Sequence, residues 1–538
     1  MADPRPSDEP AFAARVAANQ AERLARLGRT YDFIVCGAGS SGSVLARRLA
    51  ENPSVRVLWI EAGGGDDRPS VMEPAAWPTN LGSETDWGFM AEPNPELNGR
   101  SMPMSMGKVA GGGSSINVMV WARGHRSDWD FFAEESGDDS WGYDSVLALY
   151  REIEDWQGAP DPLRRGSGGP VYVQPAPDPG PAAKAMLAAA LELGIPTYQS
   201  PNGAMMEGDG GAAISDVLIR DGKRHSLFRA FAWPVLDRPN LTLLTHAEVN
   251  RVIVEGGRAV GVEVVRDGAV ERFDAAHEVI LSMGAIQTPT VLMRSGIGDE
   301  DELRSAGVKL LHKLPGVGRN LQDHVSFGCI WEYREPIPPR NSGSEATLYW
   351  KSDPALADPD LLFCQVEFPV PSPETAGRGV PEHGWTMFAG LAQPRSRGRI
   401  RLVSGEPLAR PRIELNTFGD PDDLKAAIAC VQLCRDLGNT RAFAPLVTRE
   451  AMPGPLGRAE MEQYVRDAAV TYWHQTCSAK MGRDEMSVVD GSLRVYGVEG
   501  LRIADGSIMP RVTTGNTQAP CAIIGEKASR YIRAAHGL

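Results

Sequence analysis

The residues Gly37-Ala38-Gly39-Ser40-Ser41-Gly42 form a G-x-G-x-x-G run. They follow the apolar, β-branched stretch Tyr31–Cys36 and precede Val44–Leu49, whose apolar residues recur at helical spacing until Asn52-Pro53 ends them. Glycines so placed permit a tight turn, a close approach of backbone to pyrophosphate, and close packing of helix on strand. The helix start adds free N–H groups and a positive dipole end. Glu61 closes a second strand-like run, Val55–Ile60, at 61 − 42 = 19 residues after the third glycine. An acid at that distance accepts the adenosine ribose hydroxyls and disfavours a 2′-phosphate, which argues against NADP. FAD and NAD are not separated by this motif. Far along the chain, His474 stands in Trp473-His474-Gln475-Thr476-Cys477. Histidine is the usual general base at neutral pH. Its H-x-x-C spacing to Cys477 has no second pair of ligand spacing to complete a metal site, so no metal is expected and Cys477 reads as small packing.

The elements that must position these residues come next. A chain of 538 residues exceeds what one core normally supports, so two packed lobes are expected. Val249–Leu281 alternates apolar and polar residues around Gly256-Gly257 and Asp267-Gly268, which predicts an antiparallel meander. A short helix is expected within Gly298–Leu311, a loop over Pro315–His324, and a long helix over Asp422–Gly438. Phe363–Val370, Trp385–Leu391 and Gly398–Leu402 read as strands. Ala11–Arg29 reads as a solvated or surface-packed extension, with an amphipathic helix as the alternative, and Trp121, Trp129, Phe131 and Phe132 read as core. Seven of the nine histidines, His225, His246, His277, His312, His324, His383 and His536, sit in no catalytic motif, and His125 reads as structural.

Composition excludes several classes. A net charge of −14 argues against nucleic acid and against a polybasic membrane patch. No apolar run reaches the ~20 residues of a membrane span. The opening MADPRPSDEP lacks an apolar h-region, so no secretory signal is expected. Seven scattered cysteines without paired spacing suit reduced thiols, and a cytoplasmic location is expected.

Three longer motifs separate the cofactors. Gly107-Lys108-Val109-Ala110-Gly111-Gly112-Gly113-Ser114-Ser115-Ile116-Asn117 runs on through VMVWARGHRSDWD; Gly284-Ala285-Ile286-Gln287-Thr288-Pro289 continues to Ser295-Gly296-Ile297-Gly298; and Tyr472 to Pro520 forms a third block. In this order, over nearly the whole chain from Tyr31, they closely resemble the signatures of the glucose–methanol–choline (GMC) oxidoreductase family. The resemblance implies a mixed α/β fold: a Rossmann-like FAD-binding domain of discontinuous segments (residues 30–165, 216–324 and 466–538) and a substrate domain with an antiparallel sheet flanked by helices (166–215 and 325–465), after an extension over residues 1–29.

Carried over by motif, Gly37, Gly39, Ser41 and Gly42 meet the pyrophosphate and Glu61 the ribose. Val109, Gly112, Asn117, Val118, Met119 and Val120 line the flavin, and Val249 meets the adenine through its backbone. Asp505, Gly506, Thr517 and Gln518 close over pyrophosphate and isoalloxazine, with Trp473 beside them. Some relatives attach FAD through a histidine in the segment where this chain has Ser115-Ile116-Asn117, so non-covalent FAD is expected. His474 falls where the family keeps its base, and Asn516, 516 − 474 = 42 residues later, where it keeps a second His or Asn. The expected reaction is oxidation of a primary, possibly aromatic, alcohol to an aldehyde, with O2 or another acceptor taking the electrons. Rival readings are a flavin-dependent lyase or a light-driven fatty-acid decarboxylase on the same fold, and a non-catalytic flavin-binding module.

Overall fold

The computed structural model describes residues 10–538; the opening segment read above for a targeting signal lies, but for Pro10, outside the described residues. Tyr31–Cys36 lies within a strand, Thr30–Cys36, at the centre of a seven-stranded sheet. It pairs in parallel with Val57–Ile60 on one side and with Ala269–Leu281 on the other. Leu241–Leu244 and Leu501–Ile503 extend the parallel part. Strands buried on both faces read as continuous apolar runs, which is why YDFIVC and VLWI lack alternation. The predicted meander forms as the antiparallel strands Glu248–Glu255, Arg258–Arg266 and Ala269–Leu281.

The helix Ser40–Ala50 follows the glycine loop and packs against the C-terminal helix Gln518–His536. A Cβ on Gly525 would lie 2.7 Å from the Ser41 carbonyl oxygen, so glycine there lets the two helices cross closely. Residues 10–25 form a helix whose Phe12 and Val16 are buried, and its Asn19 and Gln20 amides donate to the carbonyls of Leu236, Arg238 and Leu241. The extension is thus stitched onto the parallel sheet. Trp121, Trp129 and Phe132 are fully buried in the same core, while Phe131 is half-buried under the Arg511 guanidinium.

The second sheet has eight strands, antiparallel but for Thr197–Tyr198 beside Gly211–Ile214. At its centre run Val325–Tyr333, Gly384–Leu391, Leu361–Val366 and Ala346–Trp350. Side chains of a strand alternate between faces. Trp385, Met387, Ala389, Leu361 and Phe363 therefore join a core under the helices Pro181–Glu192, Pro421–Gly438 and Arg458–Ala468, whereas Leu362, Cys364, Val366 and Phe388 face the other way. Stacked rings anchor that core, Trp331 on Trp385 at 4.8 Å and Trp385 on Phe443 at 4.4 Å. The expected strand over Phe363–Val370 stops at Val366, ahead of Pro369 and Pro371, which have no N–H for a ladder. The helix expected within Gly298–Leu311 spans only Glu300–Ser305; Asp299 caps its start, and Gly307, at φ +71°, turns the chain away.

Candidate active site

One cleft runs from the glycine loop of the first sheet to the second sheet's cavity-facing side. Its shape at the glycine end is set by backbone. Gly37 adopts φ +98°, and a Cβ on Gly42 would fall 2.1 Å from the Gly37 carbonyl oxygen. That oxygen accepts the Trp59 indole N–H at 3.0 Å, which pins the loop to the second strand. Glu61 is buried; its Oε2 accepts the Ala38 N–H at 2.9 Å and its Oε1 the Gly63 N–H at 2.8 Å. Burial raises its pKa to about 7 despite these donors. Asp505 joins two motifs: its Oδ2 accepts the Gly284 N–H at 2.9 Å and the Thr288 hydroxyl at 2.6 Å, and its Oδ1 the Ser507 N–H at 2.8 Å.

Gly37, Gly39, Ser41, Glu61 and Gly112 all border this cleft, as do Asn117, Val118, Val120 and Val249. Trp473, Asp505, Gly506, Thr517 and Gln518 border it too. Gly42, Val109 and Met119 do not: Gly42 is buried under the loop, and Val109 and Met119 are buried behind the wall, Met119 at φ +63°. The middle of the wall is held by Asn117. Its Oδ1 accepts the Met119 N–H at 3.0 Å and an Arg224 guanidinium N–H at 2.8 Å, while its amide donates to Gln518 Oε1. Arg224, unremarked in the sequence, is buried and also donates to the carbonyls of Val71 and Ser114.

His474 lies at the far end, 9% exposed, between two partners. Its Nε2 is 3.2 Å from Asn516 Nδ2, and its Nδ1 is 2.9 Å from Nδ1 of His324. The amide N–H of Asn516 can only donate, so His474 Nε2 accepts. The proton of neutral His474 then sits on Nδ1 and points to His324 Nδ1, which leaves the His324 proton on Nε2. That nitrogen is buried and has no hydrogen-bond partner among the described residues. Burial, with the neighbouring His324 second, pushes the His474 pKa well below its usual value, and burial takes His324 down to about 3. His474 is therefore neutral at physiological pH, with a lone pair on the cleft side.

The backbone around His474 is locked from the loop expected over Pro315–His324. Gln322 and Thr476 exchange N–H···O bonds at 3.1 and 2.9 Å, and the Tyr472 N–H donates to the His324 carbonyl at 2.9 Å. Between them, Asp323 Oδ1 accepts the His474 N–H at 2.8 Å, and its Oδ2 accepts the Gln475 amide at 2.9 Å and the Thr471 hydroxyl. Trp473 and Cys477 sit at φ +60° and +74°, left-handed conformations costing roughly 1–2 kcal/mol each, which such anchoring must offset. His324, read from sequence as an ordinary histidine, is thus a partner of His474 across 150 residues. Nothing in PGVGRNLQDH by itself signals that contact. Truncating His324 removes the acceptor for the Nδ1 proton: His324→Ala is expected to lower the rate constant of substrate-driven flavin reduction by ~10²-fold with little change in substrate Kd, which stopped-flow titration would read. Equal losses in Kd and rate would reduce His324 to packing.

These residues fit a flavin dinucleotide. The glycine cradle and the start of Ser40–Ala50 meet at one end of the cleft, and three buried side-chain atoms along its wall, Gln287 Oε1, Gln518 Nε2 and Asn516 Oδ1, have no partner among the described residues. Among the described residues, no group of three or more His, Cys, Asp or Glu could hold a metal ion. No helix described is long and apolar enough to cross a membrane.

Two family profiles, both described as GMC oxidoreductase, match residues 31–326 and 394–525. An oxygen-dependent choline dehydrogenase of Paraburkholderia xenovorans (strain LB400) is 36% identical over 541 residues, covering 94% of this chain and 95% of that protein. The crystal structure of pyridoxine 4-oxidase from Mesorbium loti aligns with a TM-score of 0.89 at 33% identity, over 94% of this chain and 99% of that one. A variant formate oxidase from Aspergillus oryzae RIB40 aligns with a TM-score of 0.85 at 27% identity, over 95% and 99%. The chain belongs to the GMC oxidoreductase family and is an FAD-dependent oxidoreductase acting on CH–OH donors.

Proposed function

We propose that this protein oxidises a primary alcohol to its aldehyde with His474 as general base and Asn516 as the residue that orients the substrate oxygen. The observation that carries this reading is the pair His474 Nε2 and Asn516 Nδ2, 3.2 Å apart at the cleft's end, with His474 held neutral by burial. A substrate hydroxyl entering between them donates its proton to Nε2 and accepts the Asn516 N–H. As Nε2 takes the proton, His474 becomes an imidazolium whose Nδ1–H donates to His324. His324 resists protonation, so the charge stays on His474. Asp323 keeps the His474 backbone from following the proton. FAD, when bound, supplies the hydride acceptor and passes the electrons on to O2 or another acceptor. Gly37, Gly39 and Ser41 would hold its pyrophosphate and Glu61 its ribose. Asn117, Val118, Val120 and Gln518 would flank its ring. The side chain of Ile116 borders the cleft and has no nucleophilic atom, which supports a non-covalent flavin. Seven cysteines without disulfide partners support a reducing, cytoplasmic setting.

The test is anaerobic addition of an alcohol panel to the holoenzyme, followed by air. Bleaching of the flavin band by a primary alcohol is expected, with acid precipitation of a parallel sample releasing all flavin into the supernatant. Unchanged absorption with every alcohol, or flavin remaining in the pellet, would sink the corresponding part of the reading. The speed of recovery in air separates O2 from another acceptor.

A further inference from the structure

The substrate end of the cleft carries no formal charge of either sign. The second sheet and its adjoining loops give this end Ser344, Cys364, Val366, Val370 and Phe388, and the segment around His474 adds Tyr472 and Trp473. Three carboxylates border the cleft, and all belong to the nucleotide end. Glu61 is bound to the glycine loop, Asp505 to Gly284 and Thr288, and Glu248 precedes the adenine-side Val249. Among the described residues no lysine or arginine borders it.

The acids nearest this end in sequence do not reach it. Glu345 and Glu367 directly follow Ser344 and Val366, yet both turn to the opposite face of the sheet. There Glu345 accepts the Gly180 N–H at 2.5 Å, ahead of the helix Pro181–Glu192, and Glu367 accepts the Tyr333 hydroxyl. Asp323 is turned away as well, toward Thr471, Gln475 and the His474 backbone. Hydrogen-bonding capacity is equally sparse. Apart from His474 and Asn516, which take the reacting hydroxyl, the buried side-chain atoms without a partner at this end are Ser344 Oγ and Gln475 Oε1, both uncharged.

The rings do not make a cation cage. Such a cage needs several faces directed at one centre. Here Tyr472 gives a face to His474, with centroids 5.2 Å apart, and Phe388 lies parallel to Trp473 at 6.1 Å. Phe388 and Tyr472 meet edge to face at 4.9 Å. Trp77 donates its indole N–H to the Ser342 carbonyl at 2.8 Å.

We propose that this cleft selects an uncharged alcohol with a compact apolar body, an aromatic ring or branched alkyl group, and rejects both quaternary ammonium and carboxylate substrates. A permanent charge placed against this wall loses its water and finds no counter-charge. The inference rests on the alcohol-oxidation reading above and goes beyond it by fixing the substrate's charge class. It also separates this chain from the choline dehydrogenases and formate oxidase it resembles, whose named substrates are charged.

The test uses the holoenzyme and two pairs of alcohols that differ chiefly in charge. Choline is compared with its carbon isostere 3,3-dimethylbutan-1-ol, and 4-(hydroxymethyl)benzoate with benzyl alcohol. Flavin reduction is followed anaerobically by stopped flow. The neutral member of each pair is expected to show a rate constant over Kd at least ~10-fold above its charged partner, since an unpaired buried charge costs more than the 1.4 kcal/mol that ten-fold represents. Equal or faster reduction by choline or by the benzoate overturns the proposal. If no alcohol reduces the flavin, the oxidation reading fails separately, and the same pairs are titrated against the spectrum of the oxidised flavin. Perturbation by the neutral members alone then still supports the charge selection; perturbation by a charged member, or by none, overturns it.

Discussion

His474→Ala is expected to lower the rate constant for flavin reduction by alcohol ~10²–10⁴-fold while the protein still purifies with FAD. His474 lies at the end of the cleft opposite the glycine cradle, so its loss should remove proton abstraction without touching the pyrophosphate end. The substitution also leaves the Asp323 anchor in place, because that bond is made by the His474 backbone N–H and not by its ring. The pH profile gives a second reading of the same residue. Burial depresses the His474 pKa from its usual 6.5, so the neutral, competent base is already fully formed at neutral pH. In the wild type, reduction rate over Kd should be flat through neutrality and fall only as pH drops below 6.5 toward the depressed pKa. In His474→Ala that acid limb should vanish. Near-normal reduction by the variant, or an unchanged acid limb, would remove His474 from the role.

Gly42→Ala is expected to lose FAD and stability together. The added Cβ falls 2.1 Å from the Gly37 carbonyl oxygen and 3.3 Å from the Trp59 indole nitrogen, and the first is backbone that cannot rotate aside. Overpacking of this kind costs ~1–3 kcal/mol, with the loop displaced from the helix start. At 1.4 kcal/mol per decade the displaced loop loses about 10–10²-fold in FAD affinity. Gly39→Ala is the informative control: its Cβ meets only the Ser282 carbonyl oxygen, at 3.8 Å, so the fold tolerates it while the cleft wall gains a methyl group. Thermal melting of the apoproteins separates the two. Gly42→Ala should melt below the wild type and Gly39→Ala beside it, while fluorescence titration with FAD shows weakened binding in both. An apo melting point unchanged in Gly42→Ala would mean that the loop accommodates the methyl group.

Short-range rules made part of this protein legible. The glycine run, Glu61 and the flanking strands depend on turn geometry and on 2.0- and 3.6-residue periods, which a local window contains. The same holds for the meander, whose Gly256-Gly257 and Asp267-Gly268 turns fix its hairpins, and for the helix Pro421–Gly438, capped by Asp420. The resemblance to a known family added His474 and Asn516, because their motifs survive intact.

What remained illegible was every contact between segments distant in the chain. His324 meets His474 across 150 residues, Arg224 supports Asn117 across 107, and Asp505 ties down Gly284 across 221. Each is a single polar side chain in a loop or element end, and loops carry no period that says where they return. The burial that keeps His474 neutral is likewise a property of the assembled walls. The charge of the substrate pocket was decided the same way. Ser344 and Glu345 are neighbours in sequence, as are Val366 and Glu367, and only the folded ends of the second sheet's strands, where Glu345 accepts the Gly180 N–H and Glu367 the Tyr333 hydroxyl, settle which of each pair borders the cleft. Sequence by itself determined the dinucleotide loop and the elements that flank it, because these follow from local geometry and motif, and through the family resemblance it singled out His474 as the candidate base. Tertiary structure alone decided the tautomer of His474, the residues that hold it and the neutrality of the pocket, because these depend on which buried groups are brought within hydrogen-bond reach.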